Sequence, residues 1–481
     1  MTTENKASYI KILVIVAIMF GFKYIPPFGG ITQQGMAVLG IMIGLILGWS
    51  SDPKCMTWAS LLGIAAMSFA GSGTMAENLT RAIGQVNIAF LFVVMLIMGA
   101  LADAQVDLYL IQKIMGIKRA QGRPWVMTAL LVIAPLVLGN FINTIALILF
   151  LLPLYGKLFK QVGYAPGDKY VIHTYLGMMI SAISASFLFP FKGLAISNGA
   201  LVEGYLKTIW TNVGFMLTIT PWMILLSCGY VLFMRIIGCD VSKIANADMK
   251  IFGDGTLSLT KHQQWVFNAM LIYIIGCLVI TFGGMMSNPI GAFLTKVGVY
   301  GWALILAAGM MIIKIDGKRL LEVKTAAVNG ISWDTIWLIA SATLVANALT
   351  AEGTGIGPLM YQITAPLLSN LSPAMFLIAL SVLVLLGTNF LNNLAVKMIA
   401  LTICGTLLAG GLAVNGAAVG GAILGVFTLG FLLPSSSMFG AFLHTADLVT
   451  PVAIYKNVLL TLIWVILTVC LIYVPLCAVI Y

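Results

Sequence analysis

Gly139-Asn140-Phe141-Ile142-Asn143-Thr144-Ile145-Ala146 lies inside an apolar segment that runs from about 125 to 158. A second copy, Thr388-Asn389-Phe390-Leu391-Asn392-Asn393-Leu394-Ala395, lies inside another, from about 374 to 408. Each reads Asn-Phe-(Ile/Leu)-Asn-(Thr/Asn)-(Ile/Leu)-Ala, and each falls mid-segment. Amides in hydrocarbon are costly unless something pairs with them. Two matched polar interruptions, one per half of the chain, fit a membrane carrier built from inverted repeats.

The composition agrees. Of 481 residues, 61% are hydrophobic and 8% charged, too little polar surface for a soluble protein of this size. The formal charge of +10 would suggest nucleic acid in a soluble chain. Here the basic residues fall in short loops, where they set orientation, and no nucleic-acid partner is expected. The seven cysteines (Cys55, Cys228, Cys239, Cys277, Cys404, Cys470, Cys477) include no Cys-x-x-Cys pair and read as small core residues. The run 10–22 follows Lys6 and Lys11 but leads into Lys23-Tyr24-Ile25-Pro26-Pro27, so it reads as a retained first helix.

A spanning helix needs roughly 20 apolar residues. Runs of that order predict helices over about 10–25, 33–50, 56–71, 86–105, 170–200, 209–236, 264–286, 298–314, 332–350, 413–440 and 456–479. That is an all-α polytopic membrane protein of about 11 crossings. The longest polar loop is 239–262. The two motif segments, 125–157 and 374–407, are too long for one crossing and too short for two. They read as re-entrant hairpins with asparagine tips; the alternative is one long, tilted helix with a polar patch. After each comes a helix broken by proline and small residues, at Phe189-Pro190-Phe191-Lys192-Gly193, continuing into Ala195-Ile196-Ser197-Asn198-Gly199, and at Leu433-Pro434-Ser435-Ser436-Ser437-Met438-Phe439-Gly440. Proline removes an N–H and clashes with the preceding turn, so both helices should unwind there. Lysine and arginine are abundant in alternate loops, while the loops between (26–32, 72–85, 201–208, 287–297, 351–373) carry only Arg81, Lys207 and Lys296. This asymmetry puts the N-terminus inside and the C-terminus outside the cell membrane, with the hairpins entering from opposite faces.

The hairpin tips and helix breaks are the expected site. Unwound carbonyls and side-chain oxygens suit a hard cation such as sodium, whereas helix N-termini and amides suit an anion. Candidate sodium ligands are Asn140, Asn143, Gly193, Asn389, Asn392 and Ser435. Candidate substrate contacts are Asn143, Thr144, Asn392, Asn393, Lys192, Lys397, Ser436 and Ser437. The amides could instead merely cap the half-helices, and the lysines could snorkel to an interface. Lys192 sits at the first break and Lys397 one turn past the second tip, where a charge is a functional signal. Asp103, Asp107, Asp334, Glu352 and Asp447 fall near helix ends. A cavity with lysines, amides and no carboxylate prefers a small anion. A cation/proton antiporter would want a mid-membrane carboxylate. An intramembrane enzyme would want a convergent acid/base pair or metal ligands, and no catalytic residue or nucleotide-binding loop is evident.

Ile25-Pro26-Pro27-Phe28-Gly29-Gly30, the paired Asn-centred hairpins and the proline-broken helices resemble the divalent anion/sodium symporter (DASS) family of the ion transporter superfamily. The resemblance implies a scaffold that forms a homodimer and a transport domain that moves like an elevator. It implies di- or tricarboxylate or sulfate-like substrates, coupled to sodium or exchanged. On that pattern 1–85 holds the first scaffold helices, 86–236 repeat one, 237–331 a cytoplasmic loop and further scaffold helices, and 332–481 repeat two. Relatives carry Ser-Asn-Thr at each tip; here the positions read Ile142-Asn143-Thr144 and Leu391-Asn392-Asn393, so the serine is lost twice. Lys192 departs too, at a break that contributes to the first sodium site of the family. Its ammonium is expected to replace that sodium, leaving sodium at the second-repeat site.

Overall fold

The computed structural model describes residues 3–51, 56–117, 120–247, 251, 257–349, 351–356, 358–359, 362, 366, 371–434 and 436–481. They are helical apart from connecting turns and one two-stranded ribbon, Lys314–Ile315 with Lys318–Arg319. Among the described residues, seven helices are long and apolar enough to cross a membrane: Val86–Asp103, Thr144–Gln161, Asn212–Ile236, Lys261–Gly283, Pro289–Ile312, Pro373–Phe390 and Pro451–Ile480. Shorter apolar helices stand among them, including Gln33–Ser51, Thr57–Phe69, Pro124–Leu138, Trp333–Leu349 and Asn393–Ala409. Leucine, isoleucine and phenylalanine cover much of the outside, as a protein bathed in lipid requires. The chain is an all-α polytopic membrane protein.

Both motif segments are hairpins, not single tilted helices. Hairpin one joins Pro124–Leu138 to Thr144–Gln161, and hairpin two joins Pro373–Phe390 to Asn393–Ala409. The first arm of hairpin one has 15 residues. That is about 22 Å of helix, short of the roughly 30 Å hydrocarbon core. Both breaks are present. Lys169–Ala185 gives way to Gly193–Leu206, and Gly416–Leu424 gives way to Met438–His444. The second break spans 425–437, much longer than Pro434 alone suggests.

Other expectations need correction. The stretch 287–297, read as an outer loop, is helical from Pro289, because Asn288 caps Gly291 N at 2.8 Å and proline suits a first turn. The helix then kinks at Gly298, whose φ of 59° only glycine adopts easily. The stretch 72–85 holds the helix Met75–Ile83, started by a Thr74–Glu77 capping box. Val106–Met115 is helical where only a basic loop was expected. Mixed polar and apolar sequence hides such short helices from a search for apolar runs.

Several contacts join segments distant in sequence. Thr32 donates to Gly353 O at 2.8 Å, Lys207 reaches Asn347, and Tyr300 donates to Asn87 at 3.3 Å. Thr57 donates to Asp334 at 2.6 Å, Gln263 to Ala104 O at 2.9 Å, Lys160 pairs with Asp447 at 2.6 Å, and Lys243 donates to Gly163 O at 3.0 Å. Tyr481 lies beside Gly214.

Glycine permits a close approach between the halves. Gly405, in the second arm of hairpin two, lies directly against the Tyr205 carbonyl of Gly193–Leu206, and a Cβ there would collide with it. Gly405→Val should cost about 1–3 kcal/mol through overpacking. It should lower the thermal unfolding midpoint of the purified protein in detergent by several degrees; an unchanged midpoint would contradict this packing.

Candidate functional site

The two tips repeat the same hydrogen bonds. The first asparagine of each motif donates to the carbonyl four residues back, Asn140 to Leu136 O at 2.7 Å and Asn389 to Leu385 O at 2.8 Å. The second accepts from the N–H groups two and three residues on. Asn143 Oδ1 takes Ile145 N and Ala146 N at 3.0 and 3.3 Å, and Asn392 Oδ1 takes Leu394 N and Ala395 N at the same distances. Both caps sit in extended backbone, φ −58° and −59°, which ends one arm and starts the next. Capping consumes Oδ1, and among the described residues neither Nδ2 has a partner. Asn143 is exposed, while Thr144, Asn392 and Asn393 are half-buried.

At the first break, Lys192 points into the protein. Its buried ammonium donates to Gly139 O at 2.8 Å, Ala185 O at 2.9 Å and Asn140 Oδ1 at 3.3 Å. All three ammonium donors are met, by oxygens alone, from both the tip and the broken helix. Thr144 Oγ1 bonds Ser186 Oγ at 2.6 Å and adds a second tie. The snorkelling alternative is excluded for Lys192 in this conformation, since the side chain is 5% exposed. Gly193 opens the following half-helix and is half-buried.

At the second break, Ser437 stands where Lys192 stands at the first. Ser437 Oγ donates to Gly430 O, seven residues back, at 2.5 Å, just as Lys192 reaches Ala185 O seven residues back. Gly430 in turn packs so close to the Thr388 carbonyl that a Cβ would strike it, as Gly139 packs on Ala185. Asn389 Oδ1 accepts from Phe431 N and Leu432 N, both at 3.0 Å, and its Nδ2 also donates to Leu429 O. Thr388 donates to Phe427 O, Asn393 N to Ser436 O at 2.9 Å, and Ser436 Oγ to Leu433 O at 2.7 Å. His444 bonds Leu432 O at 3.0 Å and braces the unwound chain. Ser435 lies outside the described residues.

Lys397 is also buried, at 6% exposure, and does not snorkel. It donates to Asn198 Oδ1 at 3.0 Å and lies 4.6 Å from the centre of the Phe427 ring. It therefore ties hairpin two to both broken helices. Asn198, read only as part of the first break, lies in the helix Gly193–Leu206, and the carbonyls of Gly139 and Ala185 and Glu203 escaped the sequence reading. Backbone oxygens leave no sequence signal, and Glu203 falls in a stretch read as loop. It lies instead in the helix Gly193–Leu206 and accepts from Asn87 at 2.8 Å, in a small cleft of about 50 Å³ that reaches Pro190 and Tyr300.

Asn389→Leu should destabilise more than Asn392→Ala. The first strands two buried N–H groups at about 1–3 kcal/mol each; the second removes one cap worth about 1 kcal/mol. Thermal midpoints of the two variants decide, and an equal or smaller loss for Asn389→Leu would contradict the clamp.

Comparison with known proteins fits this arrangement. No curated protein shows significant sequence similarity to the chain. The solved YdaH transporter of Alcanivorax borkumensis superposes with a TM-score of 0.54 at 15% identity, over 83% of this chain and 86% of that one. MtrF of Neisseria gonorrhoeae, described among antimetabolite efflux pumps, superposes at 0.55 with 12% identity, over 82% of each chain. Such low identity shows a common fold. The sequence profile of the citrate transporter family, CitMHS, matches residues 42–424, most of the length. The chain therefore belongs to the citrate transporter family of the ion transporter superfamily and is a membrane transporter.

Proposed function

We propose that the protein is a secondary active carrier of small anions, citrate-like di- and tricarboxylates before sulfate-like ones, working by elevator-type alternating access. The observation that carries the reading is the duplicated tip, an asparagine-capped helix N-terminus beside a proline-broken helix. Helix N-termini, unspent amide donors and buried ammonium groups all favour an anion. Family membership and the DASS-like motifs support the same substrate class. The basic-rich end is the cytoplasmic face, with the N-terminus inside and the C-terminus outside. Residues 86–236 and 332–481 act as inverted repeats carrying the re-entrant hairpins, with 1–85 and 237–331 as a dimerising scaffold.

The two repeats treat positive charge differently. At the first, the Lys192 ammonium occupies the oxygen cluster at the break where the DASS-like pattern implies a sodium site, so the charge is covalently tethered. At the second, Ser437 stands in place of a lysine, with its Oγ on Gly430 O and the Thr388 carbonyl packed against Gly430. These hard oxygens suit sodium, with Ser435 as the remaining candidate, since the cap takes up Asn392 Oδ1. Asn389 contributes structurally, because its oxygen is taken by two N–H groups.

Thermal stability of the purified protein with citrate, succinate or sulfate, each in sodium and in choline, tests the reading. A ligand at a hundredfold excess over its Kd stabilises by about 2.7 kcal/mol. A carboxylate is expected to raise the midpoint, and silence from every anion in both salts would contradict the proposal. In proteoliposomes, Lys192→Gln should cut citrate uptake or make it newly sodium-dependent. A variant with unchanged uptake and unchanged sodium response would defeat the tethered-charge reading.

A further inference from the structure

The cleft around Glu203 holds a carboxylate that the proposed transport cycle does not use. Two ring pairs wall it. Phe90 and Tyr300 meet edge to face with centroids 4.7 Å apart, and Trp210 and Phe215 lie 5.0 Å apart. The helices Val86–Asp103, Gly193–Leu206, Asn212–Ile236 and Pro289–Ile312 supply Phe90, Glu203, Phe215 and Tyr300. Tyr300 follows closely on the Gly298 kink.

The carboxylate lacks a counter-charge. Among the described residues the ion pairs are Lys160–Asp447 and Arg319–Glu322, and no described residue lining the cleft is basic. Lys207, one turn beyond Glu203, is spent on Asn347. The Glu203 side chain takes one hydrogen bond among the described residues, from the neutral amide of Asn87 to Oε2 at 2.8 Å. Asn87 is steadied in turn by the Tyr300 hydroxyl, which donates to its Oδ1 at 3.3 Å. Glu203 Oε1 is left over. A lone carboxylate beside aromatic rings attracts a cation both by charge and through the ring quadrupoles, and it repels the anion expected at the hairpin tips.

The free space sets the size of that cation. It is about 50 Å³. A water-sized group takes about 10–15 Å³, so there is room for about four non-hydrogen atoms. A short primary ammonium such as that of ethanolamine fits, whereas a choline head group is too large. A hard metal ion would want a shell of oxygens, which the rings do not provide.

We propose that this cleft is a binding site for a short primary ammonium ion, with Glu203 as its counter-ion. The ammonium donates to Glu203 Oε1 while its carbons pack against the rings. Bound there, it braces the second half of broken helix one against Pro289–Ile312, in a cleft that reaches Pro190 at the break. Two sources share this chemistry, free ethanolamine-type amines in water and the head group of phosphatidylethanolamine in the bilayer. The site is separate from the hairpin tips and stands whatever anion the protein carries.

Thermal unfolding of the full-length, delipidated protein in detergent, with no carboxylate or sulfate added, tests this. A ligand that binds only the folded state raises the midpoint by mass action. Ethanolamine hydrochloride should give a saturable rise. Ethylene glycol, which has its shape without its charge, and potassium chloride should not. Glu203→Gln, which still accepts from Asn87, should abolish the rise, and Tyr300→Leu should weaken the apparent affinity several-fold. No rise with ethanolamine, an equal rise with ethylene glycol or potassium chloride, or an undiminished rise in Glu203→Gln overturns the proposal. If Glu203→Gln does not fold, Tyr300→Leu decides, since it leaves the carboxylate in place, and unweakened affinity there overturns the proposal too. Nanodiscs separate the sources. In phosphatidylcholine the ethanolamine response should persist, and its absence there counts against the site. In phosphatidylethanolamine, loss of the response identifies the lipid head group as the occupant, and a persisting response identifies a soluble amine.

Discussion

An ammonium group buried among Gly139 O, Ala185 O and Asn140 Oδ1 is the interaction on which the rest of the site depends. Two of these oxygens belong to the tip of hairpin one and the third to the end of a helix that proline has interrupted. Unwound backbone at membrane depth survives only if its polar groups are answered from within the protein. Lys192 answers them with three donors from one residue, which joins the tip to the break and leaves a net positive charge beside a helix N-terminus. Deleting such a group leaves buried acceptors unmet, so its structural and electrostatic contributions cannot be separated by truncation alone.

The second half meets the same requirement with different chemistry. Asn389 supplies four hydrogen bonds, Thr388 one and His444 one, and together they hold the longer unwound segment 425–437. Ser437 keeps the seven-residue reach of Lys192 but brings a neutral hydroxyl. The two sites thus share a frame while one carries a fixed charge and the other does not. That difference is the physical basis for expecting one tethered and one exchangeable cation in the proposed cycle. Lys397 lies where the two frames meet, linked to Asn198 on one side and Phe427 on the other.

Much of this was legible because it breaks local rules. Asparagine within an apolar run, proline within a helix and lysine at membrane depth each cost free energy, so their duplication pointed to the tips and breaks. The caps of Asn143 and Asn392 follow from residue type and position, and the hairpins from segment length. What was not legible lies in backbone and in distance. The oxygens around Lys192 are mostly carbonyls, which every residue owns, and Asn198 pairs with a lysine 199 residues away. Glu203 was lost because a helix with polar residues looks like a loop to hydropathy, and Met75–Ile83 and Val106–Met115 were missed for the same reason. At Pro289 the N-terminal signals Asn288 and Pro289 open a stretch with no apolar run long enough to mark a helix by hydropathy.

The central claim is that the Lys192 ammonium fills the position a free monovalent cation would otherwise take. Thallium, whose anomalous scattering marks monovalent cation sites, tests this most directly in crystals of the wild type and of Lys192→Ala grown in a thallium salt. The account predicts no anomalous peak among Gly139 O, Asn140 Oδ1 and Ala185 O in the wild type, and a peak there once the ammonium is gone. A wild-type peak inside that oxygen cluster, with Lys192 turned away from it, would contradict the account.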